Sequence, residues 1–180
     1  NQYEPLLASA PGRVLDLCPG SGCIGLATAL MIPSAQEDLA DISDDALAVA
    51  RRNIEQHGVC DRVRAIQSDL FGGLQGTYDL IVSNPPYVSA DEVAGLPAEY
   101  HHEPALGLLS DDEGLAIPLA ILKQAPAYLN EHGMLVLEVG YSWALLAQRY
   151  PQLPVLWLEF ESGGEGVFAI SREALIRAIG

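Results

Sequence analysis

Lysine is almost missing from this chain: Lys123 is the only one in 180 residues. Lysine and arginine together number 9 against 24 aspartates and glutamates, for a formal net charge of -15. Nucleic-acid binding draws most of its affinity from cations that neutralise phosphates. This balance therefore argues against a nucleic-acid partner and favours a basic one. Cysteine is scarce too, with only Cys18, Cys23 and Cys60. An odd number without paired spacing argues against a disulfide framework and fits a reducing cytoplasm. His57 and Cys60 have the helical spacing of metal ligands, but no second pair accompanies them, so no metal is expected. No apolar run approaches the ~20 residues of a membrane span, and no secretory signal is visible. Repeats, linkers and low-complexity tracts are lacking as well. The chain starts at Asn1, and an upstream part is expected to be missing.

What is present describes one folded domain. Hydrophobic content is 49% and charged content 18%, enough apolar material for a sizeable core. Short apolar runs alternate with helical stretches, the pattern of a mostly parallel sheet covered on both faces. Strands are expected over 13–18, 36–41, 63–67, 78–83 and 133–140. Helices are expected over 23–31, from the N-cap Ser43 through His57, over 114–129 and over 141–150, with a short one at the end of the chain. Pro126 is expected to kink or break its helix. Runs 155–160 and 166–171 flank a glycine-rich turn and predict an antiparallel hairpin. Residues 88–112 form a polar segment too long for a passive connection, as in a lid or substrate clamp. Glu37 and Asp38 fall where a buried strand wants apolar side chains, so that strand is expected to be partly exposed or the region locally weakened.

Chemistry concentrates in two turns. Gly20-Ser-Gly22-Cys-Ile-Gly25 joins the first strand to the first helix, where glycines permit close approach and the helix start offers free N–H groups. Asp41 closes the second strand 21 positions after Gly20, a spacing that suits a carboxylate on ribose hydroxyls. Together these predict a nucleoside-containing cofactor, although glycine turns also serve plain packing. Asp16, inside the first strand, suits the ammonium of an amino-acid moiety and would repel a pyrophosphate, which favours S-adenosylmethionine over a dinucleotide. Its alternative role is to cap the turn. Asp69 is placed to accept from an adenine amino group, or else serves as a turn residue. Leu70 and Phe71 offer apolar contact to the purine, and Phe71 equally suits the core.

The second turn is Asn84-Pro85-Pro86-Tyr87. Consecutive prolines fix φ, donate no N–H and hold the preceding residues extended. The turn therefore presents an amide, bare carbonyls and an aromatic ring at a strand end. The Asn84 side-chain oxygen and the Pro85 carbonyl can each accept one hydrogen of an NH2 group, and the Tyr87 ring can stack on a planar amide. Without chemistry, the same residues make a stiff strand-to-loop turn.

The motifs Asp16-Leu-Cys-Pro-Gly-Ser-Gly22, Asp41-Ile-Ser43, Ser68-Asp-Leu-Phe71 and Asn84-Pro-Pro-Tyr87, in this order, resemble those of the HemK-like protein-glutamine methyltransferases. Two further segments, Leu96 to Pro104 and Trp157 to Phe168, are similar to the branch that methylates ribosomal protein L3, the third protein of the large subunit. Cys18, where relatives usually have glycine, points to the same branch. The resemblance implies a Rossmann-like α/β fold: a seven-stranded, mostly parallel sheet with an antiparallel C-terminal hairpin, using S-adenosyl-L-methionine. It implies that Cys18, Pro19, Gly20, Ser21 and Gly22 line the methionine part of the cofactor, with Asp16 beneath. Asp41 would hold the ribose, and Asp69 and Leu70 would border the adenine. Asn84, Pro85, Pro86 and Tyr87 would bind the target amide, Asn84 also bordering the cofactor. The implied partner is a basic protein of the large ribosomal subunit, in the cytoplasm, with neither metal nor membrane. Residues 1–180 would be the catalytic domain. The family's N-terminal substrate-recognition domain and a short motif that covers the cofactor are expected to lie outside this sequence.

A nucleic-acid amino-methyltransferase is the nearest rival, because an exocyclic base amine poses the same geometric problem. A nicotinamide-dependent oxidoreductase leaves Asp16 and the proline turn without a task. A binding module that keeps only the fold has no need of acceptors at Asn84 and Pro85.

Overall fold

The computed structural model describes residues 6–86, 114–160 and 163–179. The expected lid or clamp, Tyr87, and the segment from Leu96 to Pro104 lie outside the described residues. Seven strands form one sheet: β1 (Arg13–Leu17), β2 (Gln36–Asp41), β3 (Val63–Gln67), β4 (Tyr78–Ser83), β5 (Leu129–Glu138), β6 (Leu156–Leu158) and β7 (Val167–Ser171). Their order is β3-β2-β1-β4-β5-β7-β6. Strands β1 to β5 run parallel, and β7 is antiparallel to both β5 and β6. The expected α/β class and C-terminal hairpin are therefore both found. Leaving β1, the chain steps first to β2 and later, on the other side, to β4. The crevice of such a sheet opens at the carboxyl ends of the strands where the order reverses, here between β1 and β4.

Among the described residues the helices are α1 (Cys23–Met31), α2 (Asp44–Gln56), α3 (Ala116–Tyr128), α4 (Trp143–Arg149) and α5 (Arg172–Ile179), with a 3-10 turn at Gly140–Ser142. Alternation along the strands sorts the core into layers. Leu39 of β2 packs with Leu26, Ala29, Ala50 and Ile54 of α1 and α2. On the other face Leu15, Leu17, Ile81, Leu135 and Leu137 pack with Ile121 and Leu122 of α3 and Leu175 of α5. Helix α2 starts as its sequence suggests: the Ser43 hydroxyl accepts from the Ala46 N–H at 3.2 Å, and Asp44 and Asp45 occupy the first turn.

Three expectations need correction. Pro126 does not break α3, which continues to Tyr128. It sits in the last turn, where only one intrahelical bond is lost, and its carbonyl accepts from Arg172 Nε at 2.8 Å. Strand β5 begins at Leu129 rather than Gly133, because it takes up the chain directly as α3 ends. The third concerns β2, which is not partly exposed. Glu37 and Asp38 are 1% and 2% exposed, on opposite faces of a strand held between β1 and β3. Asp38 is tolerated because four donors surround it. Its Oδ1 accepts from Arg64 Nε and Nη2 at 2.9 and 2.7 Å, and its Oδ2 from Arg13 Nη2 at 3.0 Å and the Tyr78 hydroxyl at 2.9 Å. The Arg13 guanidinium also lies 4.6 Å above the Tyr78 ring.

Candidate active site

The turn after β1 is built from left-handed backbone. Cys18, Gly20 and Gly22 have φ of 59°, 54° and 83°, and Cys18 holds this conformation without the freedom of glycine. Two backbone bonds fasten the turn: Cys18 N–H to the Ala40 carbonyl, and Gly22 N–H to the Pro19 carbonyl, both 2.9 Å. Side chains fasten it further. Asn53 of α2 donates Nδ2–H to the Ser21 carbonyl at 2.9 Å, and the Ser83 hydroxyl donates to the Leu17 carbonyl at 2.6 Å. Ser21 and Cys23 join through their side chains at 3.0 Å. A Cβ on Gly20 would meet nothing within 4 Å, whereas one on Gly22 would sit 3.0 Å from Leu39. The turn is thus open on its Gly20 side and closed against the core on its Gly22 side.

Two of the expected carboxylates hold the turn itself. Asp41 Oδ2 accepts from the Gly20 N–H at 3.2 Å and Oδ1 from the Ser43 N–H at 2.9 Å. It ties the glycine turn to the start of α2 at the carboxyl end of β2. Asp16 is fully buried, and its Oδ2 accepts from the Gly25 N–H in the first turn of α1 at 2.8 Å. Helix α1 has no side-chain cap, so Asp16 takes that task from within the sheet. Its Oδ1 has no hydrogen-bond partner. Burial pushes Asp16 up to about 7 despite the Gly25 N–H, with the Asp41 charge adding to the rise. Burial, together with the charges of Asp41 and Asp16, likewise pushes the Cys18 thiol up to about 12, which keeps it protonated and unreactive.

On the far side, Asp69 is exposed after β3 and its carbonyl accepts from the Gly72 N–H at 2.9 Å. Leu70 is half-buried with φ 47°. Ser68 enforces that conformation: its hydroxyl donates to the Leu70 carbonyl at 2.6 Å and accepts from the Gly73 N–H at 2.9 Å. Phe71 is fully buried and stacks on Tyr128 at 4.6 Å, so it belongs to the core. Asn84 is exposed at the end of β4, Pro85 is buried and Pro86 half-buried. In the register of the sheet Leu17 pairs with Ser83. Cys18 and Asn84 therefore leave neighbouring strands side by side, about one strand spacing, ~4.8 Å, apart.

The structure thus brings Asp16, Cys18–Gly22, Asp41, Asp69, Leu70, Asn84 and Pro85 to one end of the sheet. Sequence reasoning gave no role to Ser68, Asn53 and Ser83, which shape the turns rather than face outward. Asn53 was findable: it shares the inward face of α2 with Ala50, where a polar residue needs a partner. Among the described residues no group of three or more His, Cys, Asp or Glu is arranged to hold a metal ion. Among them, too, no helix is long and apolar enough to cross a membrane.

The profile of the methyltransferase small domain family matches residues 4–100, more than half of the chain and the part that carries both turns. The chain belongs to the methyltransferase small domain family. Two curated relatives, from Francisella tularensis and Neisseria gonorrhoeae, are each 49% identical, over 180 and 176 residues. Both are named ribosomal protein uL3 glutamine methyltransferase. The matches cover 98% and 97% of this chain but 57% of each relative, so the chain spans little more than half of their length. A methyltransferase from Pyrococcus furiosus shares the fold, with 20% identity, a TM-score of 0.67, and coverage of 88% of this chain and 74% of that one. In this methyltransferase small domain the open face of Gly20, the Asp41 carboxylate and exposed Asp69 offer acceptors and room. That set fits a nucleoside-containing cofactor.

Proposed function

We propose that residues 1–180 form the catalytic domain of a cytoplasmic, S-adenosylmethionine-dependent methyltransferase. Its substrate is the side-chain amide of a glutamine in ribosomal protein uL3. One observation carries the reading: the glycine turn and the Asn84-Pro85 corner leave adjacent parallel strands at the switch point, in a chain whose relatives bear that name. The net charge of -15 suits a basic substrate such as a ribosomal protein.

A carboxamide nitrogen is a poor nucleophile because its lone pair is delocalised into the carbonyl. Asn84 Oδ1 and the Pro85 carbonyl each accept one hydrogen of the glutamine amide, which turns the nitrogen lone pair toward the crevice at the carboxyl end of β1. S-adenosylmethionine, when bound, supplies the methyl group as a sulfonium electrophile. In that transfer the amide nitrogen would form the N–C bond as the S–C bond breaks, the thioether would keep the bonding electrons, and one amide proton would leave to water. Positioning of this kind contributes up to ~7–11 kcal/mol. A polar contact aimed at the reacting centre adds ~3–4 kcal/mol, by comparison with oxyanion-hole deletions.

Mass spectrometry of uL3, after incubation with the full-length enzyme and isotopically labelled cofactor, tests the reading. The expected result is one labelled methyl group on one glutamine. Label on ribosomal RNA, or none on uL3, overturns it.

A further inference from the structure

A buried carboxylate without a partner is costly, and this fold holds two that are incompletely satisfied. Among the described residues, the buried side-chain atoms lacking a hydrogen-bond partner are Asp16 Oδ1, Glu37 Oε1, Glu37 Oε2 and Arg62 Nη1. Three of them belong to one site. Val14 pairs with Glu37 and Asp16 with Leu39, so the Glu37 and Asp16 side chains share the face beneath α1. Gly25 closes that face: a Cβ there would lie 2.7 Å from Glu37 Oε1 and 2.9 Å from Asp16 Oδ2. Both carboxyls crowd a single point under the helix.

Two ionised carboxylates can only accept, so no bond joins them. A single proton changes this by making one of them a donor, and like charges in a dry site do not both ionise. Asp16 already takes the Gly25 N–H, which favours its charged form. Glu37 takes nothing. Burial, then the nearby Asp16, pushes Glu37 up to about 8, against the pull of Arg62 and with help from Asp38. The other charged neighbours are few. Asp41 ends β2, Arg62 precedes β3, and α1 contributes no charged side chain. The charged residues of α2, namely Asp44, Asp45, Arg51, Arg52 and Glu55, are exposed.

We infer that Glu37 is a positioning residue: it carries the proton of the pair, donates it to Asp16 Oδ1, and so locks the carboxylate that anchors the glycine turn through Gly25. The proton itself does not depend on any ligand; its effect on cofactor binding rests on the proposed function. The sign follows from linkage. Glu37 keeps its proton up to about pH 8 in the fold but loses it near pH ~4.3 when unfolded. The stability it contributes is therefore whole below that lower value, declines as pH rises through the window, and is fully lost above about 8. Above it a second negative charge enters the site and Asp16 loses its donor.

The test compares the chain with its Glu37→Gln variant, whose amide N–H is a permanent donor to Asp16. Affinity for S-adenosylhomocysteine, by isothermal titration, is expected to fall about tenfold from pH 7 to pH 9 in the parent and to stay flat in the variant. Independently of any ligand, infrared difference spectra at pH 7 are expected to show a protonated carboxyl band that Glu37→Gln removes and Asp16→Asn keeps. If no cofactor binds at all, the proposed function fails while the band still decides the proton. An absent band at pH 7, or parallel pH profiles for the two proteins, overturns the inference. If Glu37→Gln does not fold, Asp16→Asn decides: a band that persists at pH 7 and is lost by pH 9 belongs to Glu37, and its disappearance overturns the inference.

Discussion

Removing the Asp38 carboxylate is expected to destabilise the fold far more than removing either arginine that meets it. Asp38 is 2% exposed and receives four donated bonds. In Asp38→Ala the Tyr78 hydroxyl keeps its burial and loses its acceptor, a cost of ~1–3 kcal/mol. Arg13, with its side chain 34% exposed, rehydrates only in part. Breaking a buried pair from one side costs ~3–5 kcal/mol. For a domain of this size each kcal/mol moves the melting midpoint by ~2–4 °C, so Asp38→Ala should melt on the order of 6–20 °C below the parent. Arg64→Ala is the contrast. Its side chain is 66% exposed, the released carboxylate keeps Arg13 and Tyr78, and the expected cost is ~0–1 kcal/mol. Differential scanning calorimetry at pH 7 reads both. Equal midpoints for the two variants, or an Asp38→Ala midpoint within ~2 °C of the parent, would refute this view of β2.

Asn84→Ala is expected to lower turnover by about a hundredfold or more, the cost of one well-aimed polar contact, and to leave cofactor affinity unchanged. Single-turnover methylation alongside calorimetric titration separates the two, and near-normal turnover removes Asn84 from the reaction. Gly166→Ala should unfold the terminal hairpin, because φ is 79° and a Cβ would lie 2.2 Å from the Gly140 carbonyl oxygen. At Gly163, φ is 85° but the space is open, so alanine should cost only ~1–2 kcal/mol. Equal urea midpoints for these two variants would contradict the close packing of Gly166 on Gly140.

Where period and punctuation agreed, the sequence was legible to the residue. Strands β2, β3 and β4 and helix α1 fall on their expected ranges because turn residues bound each apolar run. The site was legible as two turns and a spaced aspartate. What escaped was how charge is accommodated inside. Glu37 and Asp38 look alike in sequence, yet one faces three donor side chains and the other a carboxyl. That difference depends on Arg13, Arg64 and Tyr78 arriving from three other strands. Ser68 escaped for a related reason: an inward hydroxyl that shapes Leu70 gives no periodic signal. Pro126 misled because its cost depends on the turn of the helix it occupies and on a partner, Arg172, 46 positions away.

The order of the sheet leaves β3 and β6 as its outer strands. An outer strand is a template on which a stray chain can assemble. Here one rim is a five-residue strand with Arg64 at its second position, and the other is a three-residue strand preceded by exposed Pro154. Neither rim offers a long, flat, apolar ladder, and the fold gains resistance to fibrous self-association.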